Sequence, residues 1–470
     1  MMPDFASLQG AVLTVATTII AIGILQNAIY LFQMILAYIV LRGRGAPQDA
    51  TESWWTLSDV TLPISLLVPA YNEEATIAES VRSLLALHYP NFEVIVINDG
   101  STDATLDTLI DAFQLESVHR SYEESVEHRR VQGLYGSSDH PRLLVVDKEN
   151  GGKADALNTG ISLARMPLFC AVDADSVLEA DSLLRVIQPF VDDPERVVAV
   201  GGAIRLANGS TIRAGRVVSI GLPTNPLALL QTMEYLRAFL MARLAWSRMN
   251  ALMLIFGAFG VFRRDIAVAV GGYSHGTVGE DLEIIVKIHR HLRDLEQDYE
   301  ILFVPEPVCW TEAPESLAML AQQRKRWQRG SLETFFKHAA MLGNPRYGMA
   351  GVVGFTNILI ADILAPPIEA LGYVLMLLIW WSGLLDWEFF AAYLALTFSF
   401  GIFISLGSLI LEEMELKRFP RPLDLIILSL VAVAENFGYR QLNNIWRIQG
   451  WWQFLTRKGE WGEMTRKGFR

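Results

Sequence analysis

Apolar segments long enough to cross a membrane flank a region of mixed polarity in this chain. Residues 10–41 carry no charged side chain. A membrane-spanning helix needs about 20 apolar residues, so this run predicts an N-terminal transmembrane helix within residues 1–42. Arg42 and Arg44 follow it directly. Because positive charge is enriched on the cytoplasmic side of membrane helices, we expect the chain beyond residue 42 to be cytoplasmic.

From residue 60 onward, short apolar runs alternate with segments in which apolar residues recur at helical spacing. We predict strands at 64–69, 93–97, 143–146 and 168–172, and helices at 74–87, 105–113 and 153–163. This alternation predicts an α/β fold with a mostly parallel sheet covered by helices on both faces. The polar segment 114–141 is interpreted as a surface insertion that is partly helical.

The segment 227–262 is apolar enough to span a membrane, but Glu234, Arg237, Arg243 and Arg248 interrupt it. An arginine at the centre of a bilayer costs about 2.5–3.5 kcal/mol on insertion scales. The segment is therefore predicted to be a helix that lies at the membrane interface. A second interfacial helix is expected at 315–345.

A C-terminal membrane region is predicted at residues 346–445. Residues 389–411 form a clean span, whereas 349–381 is either one long kinked span or an interfacial helix followed by a span. The basic, Trp-rich residues 446–470 are expected to form a cytoplasmic tail. Lys417-Arg418 also favours the cytoplasmic side, although the predicted span at 423–434 separates it from the tail.

Composition agrees with a membrane protein that has one sizeable soluble domain. Hydrophobic residues make up 51% of the chain, and the mean hydropathy is +0.29. The net charge of −12 argues against a nucleic-acid partner. Cys170 and Cys309 lie in apolar runs, so we expect buried core thiols without a disulfide or a zinc site.

Acidic side chains follow several of the predicted strands. Asp99, Asp173 and Asp175 all fall at carboxyl ends, where open α/β sheets bind ligands. Asp173 and Asp175 repel each other unless a cation offsets their charge, and their oxygen atoms suit Mg²⁺ or Mn²⁺. The alternative is a turn with two capping aspartates.

Three further motifs carry candidate chemistry. Glu280-Asp281 follows Gly279 before a helical run, where acidic residues also serve simply as helix-capping groups. The run from Gln323 to Trp327 is a cationic helix patch, a pattern more often found on a solvated or membrane-facing surface. The Gly151-Gly152-Lys153 sequence at a helix start suits contact with a phosphate or a base.

Taken in order, these motifs resemble those of the processive family 2 glycosyltransferases, the synthases of cellulose, chitin, hyaluronan and poly-N-acetylglucosamine. The resemblance covers residues 60–335 closely. It implies a GT-A fold embedded between transmembrane and interfacial helices, and an inverting transfer of sugar from UDP-GlcNAc or UDP-glucose to a growing β-linked polysaccharide. The overall plan of this chain most resembles that of the poly-N-acetylglucosamine synthases.

The resemblance also implies roles for individual residues. Ala70, Tyr71 and Glu73 would lie along the uridine, Asp99 would bind its base or ribose, and Lys153 would contact the nucleotide. Asp175 would be the main metal ligand, with Asp173 on the metal or the donor sugar. Asp281 would be the general base beside Glu280. Arg326 would face the diphosphate, Trp327 would stack on the acceptor sugar, and Gln323 would hydrogen-bond nearby.

One departure and two alternatives accompany this hypothesis. Gly279 stands where many relatives have threonine, which leaves the local contacts open. A non-processive transferase acting on a lipid acceptor would use most of the same residues, and a non-catalytic membrane scaffold is a remote alternative. The expected location is a bacterial-type inner membrane, with the lipid bilayer and the growing polysaccharide as partners and room for accessory subunits.

Overall fold

The computed structural model describes residues 5–43, 61–213, 215–383, 387–415 and 421–456. Twelve strands occur in these residues: β1 Ile64–Ala70, β2 Phe92–Asp99, β3 Glu116–Ser117, β4 Val131–Gly136, β5 Leu143–Lys148, β6 Leu168–Val172, β7 Val177–Leu178, β8 Val197–Leu206, β9 Thr211–Arg213, β10 Arg216–Ser219, β11 Phe259–Arg263 and β12 Glu300–Thr311. All but β9 and β10 form one sheet, in the order β3-β4-β5-β2-β1-β6-β11-β8-β12-β7.

Helices cover this sheet and continue beyond it. The α-helices are α1 Phe5–Gly43, α2 Ile77–Leu85, α3 Thr105–Phe113, α4 Lys153–Leu163, α5 Ser182–Asp192, α6 Pro226–Leu236, α7 Leu244–Arg248, α8 Arg264–Ala269, α9 Glu280–Asp294, α10 Leu317–Lys337, α11 Ala365–Trp381, α12 Trp387–Glu415, α13 Pro422–Ala434 and α14 Tyr439–Thr456. Segments of π-helix lie at Arg237–Arg243, Ala350–Phe355 and Ile358–Leu364.

The parallel centre of the sheet is confirmed. Strands β5, β2, β1 and β6 run parallel, with Ile64 opposite both Phe92 and Leu168. Their side chains are buried on both faces, as an all-parallel arrangement requires. Both cysteines are also buried and free, as expected. The carboxyl ends of β1, β2 and β6 therefore meet at one edge, which brings the motifs that follow them together.

Two segments differ from the sequence prediction. Residues 227–262 do not form one helix, because the helical part ends at Arg248 and β11 then enters the sheet antiparallel between β6 and β8. A strand buried on both faces is apolar throughout, so its pattern merges with that of the preceding helix. The segment 114–141 is not helical, and its strands β3 and β4 extend one edge of the sheet.

Three helices among the described residues are long and apolar enough to cross a membrane: Thr17–Gly43, Ala350–Trp381 and Leu394–Met414. One continuous helical run with π-segments covers 349–381, which is compatible both with one long span and with an interfacial helix followed by a span. Helices α13 and α14 meet at a bend of 58° and would add a fourth span if the pair crosses as one unit.

The predicted tail begins inside a helix rather than after one. Residues 446–456 belong to α14, which packs along α10. The packing is close, because a Cβ on Gly450 would lie 2.8 Å from the carbonyl oxygen of Lys325. Residues 44–60 and 457–470 lie outside the described part of the chain.

Polar contacts join the sheet domain to the apolar helices. Arg205 on β8 forms an ion pair with Glu412 on α12, and Glu412 is fully buried. Arg237 in the first π-segment pairs with Glu435 at the break between α13 and α14. Charges that would be costly in an apolar environment are thus placed in pairs across the junction.

A further buried acid links helix α9 to the C-terminal end of α10. Glu283 on α9 is fully buried and lies 3.1 Å from His338 Nε2 and 2.7 Å from Lys337 Nζ. Burial would raise the pKa of Glu283, but the hydrogen bond from His338 and the charges of Lys287 and Lys337 outweigh it and lower the pKa to about 2. The ionised carboxylate therefore stabilises this contact.

We expect Glu283→Gln to lower the free energy of unfolding of the purified protein at pH 7 by about 3 kcal/mol. The thermal midpoint should fall accordingly. The folded pKa is depressed, so the contribution is complete above the ordinary value of 4.5 and declines toward pH 2. The stability difference between wild type and variant should hold above about pH 5 and shrink by roughly half by pH 3. Glu296→Gln, on an exposed residue, is the control. A difference that does not change with pH would contradict this.

Candidate functional site

A cavity of about 1540 Å³ opens at the carboxyl ends of β1, β2 and β6. Most of the predicted site residues line it: Ala70, Tyr71, Glu73, Asp99, Lys153, Asp173, Glu280, Asp281, Arg326 and Trp327. The fold therefore brings together side chains from six separate motifs. Asp175 and Gln323 are described but do not line this cavity.

The loop after β1 forms one wall of the cavity. Tyr71 is half exposed there, whereas Ala70 is buried. Asn72 adopts a left-handed backbone conformation with a φ of 56°, and its side chain accepts a hydrogen bond from the backbone N–H of Thr102 at 2.8 Å. The backbone N–H of Glu73 donates to Thr105 Oγ1 at 2.8 Å. These bonds tie the β1 loop to the loop after β2.

Asp99 is buried and its carboxylate already has several partners. Gly151 and Gly152 donate their backbone N–H groups to it at 3.0 and 2.7 Å, and Lys148 Nζ lies 2.5 Å away. Lys148 has no exposed side chain and also pairs with Asp155 at 2.6 Å. Asp99 therefore shapes the glycine loop as well as the cavity wall.

Lys153, at the start of α4, lies at the centre of a group of carboxylates. Its Nζ is 2.5 Å from Asp173 and 3.8 Å from Glu280, and it donates to the carbonyl oxygen of Gly257 at 3.2 Å. Burial would lower the pKa of Lys153, but the charges of Asp173 and Glu280 outweigh it and raise the pKa. Lys153 thus remains charged and offsets the repulsion between the acids.

Glu280 and Asp281 occupy the first turn of α9, where the helix dipole stabilises negative charge. Burial and the neighbouring Asp281 raise the pKa of Glu280, while Lys153 opposes the shift. One carboxylate oxygen of Asp281 accepts from the N–H of Gly257 at 3.2 Å, and the other from Leu282 at 2.9 Å. The Asp281 carboxylate is therefore held in a fixed direction at the cavity wall.

Helix α10 presents two faces with different partners. Arg326 and Trp327 face the cavity, and the Trp327 ring meets Phe256 edge-on at 6.1 Å. Arg324 is buried, pairs with Glu234 at 2.7 Å and lies 4.4 Å from the Trp327 ring. The prediction for Gln323 is not supported by cavity contact, and its Oε1 is enclosed without a hydrogen-bond partner.

Sequence reasoning missed three residues that shape the site. Lys148 neutralises Asp99, Gly257 contacts both Lys153 and Asp281, and Phe256 supports Trp327. The sequence could have indicated Lys148, because a lysine at the last position of an apolar strand is unusual and needs an acidic partner. Phe256 and Gly257 lie in an apolar stretch that gives no such signal.

Asp173 and Asp175 are the residues that could hold a divalent cation. No group of three His, Cys, Asp or Glu side chains suited to a metal occurs in the described residues. Two carboxylates suit Mg²⁺ or Mn²⁺ where substrate phosphates and water complete the coordination, but of this pair Asp173 lines the cavity and Asp175 does not. The hard oxygen donors and their place at the end of β6 agree with that chemistry.

Gly279 answers the question left by the departure in its motif. A Cβ on Gly279 would lie 2.9 Å from Gly330 Cα, and a Cβ on Gly330 would lie 2.8 Å from Gly279 Cα. Glu333, one turn after Gly330, accepts hydrogen bonds from the Val278 N–H at 3.0 Å and from the Thr277 hydroxyl at 3.1 Å. The two glycines therefore let α10 cross directly over the start of α9.

Comparison with known proteins gives a consistent result. Residues 62–330 match the family described as Glycosyltransferase like family 2. A poly-beta-1,6-N-acetyl-D-glucosamine synthase of Staphylococcus epidermidis is 30% identical over 274 residues, which are 58% of this chain and 56% of that protein. The enzyme of the same name from Staphylococcus aureus is 30% identical over 275 residues, with the same two shares. The match thus spans little more than half the length of these relatives.

One solved structure shares the fold over almost the entire chain. A mannosyltransferase from Pyrobaculum calidifontis, in complex with GDP-Man and Mn²⁺, aligns with a TM-score of 0.54 and 18% identity. The alignment covers 94% of this chain and all of that one. At this identity the likeness confirms the GT-A architecture.

We expect Gly279→Ala and Gly330→Ala each to lower the free energy of unfolding by about 1–3 kcal/mol, and with it the thermal midpoint. The added methyl group meets backbone atoms that cannot rotate away. Gly279 has a φ of −123°, so the cost arises from space and not from backbone strain. Gly23→Ala, which meets no atom within 4 Å, is the matched control. Midpoints equal to that of the control would show that the helices do not cross this closely.

Proposed function

This chain belongs to glycosyltransferase family 2, and from that premise we propose that it polymerises a sugar from a UDP-sugar donor into a β-linked polysaccharide. UDP-GlcNAc is the leading donor, because the curated relatives are poly-beta-1,6-N-acetyl-D-glucosamine synthases. UDP-glucose is the second candidate. The growing chain is the acceptor and passes across the membrane through the helical region.

The observation that carries this proposal is the extent of the cavity. It continues from the strand ends past Asp281 and Trp327 to polar side chains on the apolar helices. This second part is lined by Gln26, Asn27, Gln33, Asn357, Asp362, Glu369, Glu435, Arg440, Asn443 and Asn444. Polar groups inside a set of membrane helices mark a path for a polar ligand. A transferase that adds one sugar to a lipid would not require such a path.

The charges along this path favour an uncharged polymer. Arg237 pairs with Glu435, and Arg447 lies 3.4 Å from Asp362, so acidic and basic groups compensate each other. A polyanion or polycation would need a surplus of the opposite sign. N-acetylglucosamine and glucose are both neutral sugars and satisfy this condition.

Donor binding would use the carboxyl ends of the strands. Ala70, Tyr71 and Glu73 would contact the uridine, and Asp99 would bind its base or ribose. Lys153 and Arg326 would offset the diphosphate charge, and Arg326 offers a fork of donors as the nucleotide leaves. Asp173 and Asp175 would hold Mg²⁺ or Mn²⁺, which when bound supplies Lewis-acid stabilisation of the departing diphosphate.

Transfer would be a direct displacement. The acceptor sugar stacks on Trp327, and its hydroxyl oxygen attacks the anomeric carbon of the donor. Asp281 takes the hydroxyl proton, the bond from the anomeric carbon to the diphosphate oxygen breaks, and UDP carries away the electron pair. One carboxylate suffices for this reaction, and the anomeric configuration inverts.

The proposed location is a bacterial inner membrane, with the sheet domain in the cytoplasm. Helix α13 has 13 residues, which is about 20 Å and shorter than the hydrocarbon core of about 30 Å. With a bend of 58°, the pair fits either a broken span or a re-entrant loop. A re-entrant loop would remove the conflict between Lys417-Arg418 and the basic tail, since no complete span would separate them.

We expect the purified protein in nanodiscs to release UDP from UDP-GlcNAc in a metal-dependent manner and to form a long product. Asp281→Asn should reduce the rate by a factor on the order of 10²–10⁴, because the base is lost while the shape is kept. Asp294→Asn, at the other end of the same helix, is the control. Parallel assays with UDP-glucose, followed by product sizing and linkage-specific hydrolases, identify the sugar.

Three other outcomes would reject this proposal. A product one sugar longer than an added lipid would indicate the lipid-acceptor transferase. UDP binding without turnover would indicate a non-catalytic membrane scaffold. Full turnover by Asp281→Asn would remove Asp281 from the role of base.

A further inference from the structure

Arg243 differs from three other arginines at or near the cavity. It lies in the π-segment Arg237–Arg243 and lines the cavity. Arg237, Arg324 and Arg447 each form an ion pair with an acidic side chain. Within the described ranges, Arg243 has no such partner, and its Nε is enclosed without a hydrogen bond.

An aromatic series fixes the position of Arg243 relative to the acceptor site. Its guanidinium lies 4.0 Å from the centre of the Phe239 ring. Phe239 meets Phe256 edge-on at 5.9 Å, and Phe256 meets Trp327 edge-on at 6.1 Å. Three contacts, through Phe239 and Phe256, therefore separate Arg243 from Trp327, and the π-segment that carries Arg243 packs on α1 and α12.

The electrostatic surroundings agree with this placement. Burial lowers the pKa of Arg243 to about 10, and the charges of Tyr235, Asp281 and Asp362 oppose the shift. Arg243 thus lies within the field of both the proposed base, Asp281, and Asp362 farther along the path. Neither carboxylate forms an ion pair with it.

Arg243 is half-buried, and a guanidinium partly withdrawn from water without a carboxylate carries a cost unless other acceptors satisfy its N–H groups. The cation–π contact with Phe239 offsets only part of this cost, on the order of 1–2 kcal/mol. The donors that remain face a cavity, so a ligand rich in acceptor oxygens would satisfy them. Hydroxyl and amide carbonyl oxygens of a saccharide have this chemistry.

Resting on the proposed function, we propose that Arg243 is a binding residue for the acceptor saccharide. It donates hydrogen bonds to a sugar unit behind the one stacked on Trp327. Trp327 then holds the unit that reacts, and Arg243 holds the chain that has already been made. A terminal unit alone would not reach Arg243, so its effect depends on acceptor length.

The test compares Arg243→Gln and Arg243→Lys with the wild type in nanodiscs. Elongation of β-1,6-linked N-acetylglucosamine oligosaccharides, from the monosaccharide to the tetrasaccharide, is followed at saturating UDP-GlcNAc. Arg248→Gln is the matched control, because Arg248 is exposed on the adjoining helix and does not line the cavity.

We expect Arg243→Gln to raise the KM for the tetrasaccharide by roughly tenfold to a hundredfold, the loss typical of a hydrogen bond from a charged group. The KM for the monosaccharide should stay unchanged. Both variants should retain hydrolysis of UDP-GlcNAc by water, and its rate serves as the reference for each. Arg243→Lys should fall between wild type and Arg243→Gln, because it keeps the charge but loses the planar fork of donors. Retained hydrolysis also shows that the variants are folded.

Two results would overturn the role of Arg243. In the first, Arg243→Gln has the same KM as the wild type at every acceptor length. In the second, the KM of Arg243→Gln rises equally for the monosaccharide and the tetrasaccharide. If the wild type elongates no acceptor, the proposed function fails instead. Calorimetric binding of the tetrasaccharide then decides the matter for Arg243. Weaker binding by Arg243→Gln supports the proposal, and equal affinity rejects it.

Discussion

The site depends on compensation of negative charge in a partly buried space. Asp99 and Asp155 share Lys148, and Asp173 and Glu280 lie around Lys153. Carboxylates gathered at the ends of neighbouring strands repel each other strongly where water is scarce. Without these two lysines, the loops after β2 and β6 could not hold their acids at a common edge. The acids can therefore take part in chemistry at this edge only because the two lysines offset their charge.

Helix α10 connects this edge to the helical region. Its cavity face carries Arg326 and Trp327, while Gln328 on another face donates to the carbonyl oxygen of Asp362 at 2.6 Å and accepts from Arg447 at 2.7 Å. The crossing of Gly279 and Gly330 sets the distance of closest approach to α9. One helix thus positions Arg326 and Trp327 relative to both Asp281, the proposed base, and the polar part of the cavity.

The sequence could predict much of the fold because the central strands obey simple rules. Helices α3 and α4 and strand β6 begin and end at the predicted residues, since short buried runs bounded by polar turns leave few alternatives. Strand β11 could not be predicted, because an apolar strand after an apolar helix has no boundary signal. The contact between Gly279 and Gly330 was also out of reach, since it joins residues 51 positions apart through tertiary packing alone.

The close packing of α14 on α10 has a mechanical meaning. Gly450 lies against the backbone of α10, and Arg447 reaches both Gln328 and the carbonyl oxygens of Ala361 and Asp362. The sheet domain and the helical region consequently behave as one stiff body at this junction. Under the proposed function, advance of the polymer by rocking of the whole domain would have to break these contacts. Motion of single side chains or short loops at the cavity wall would leave them intact.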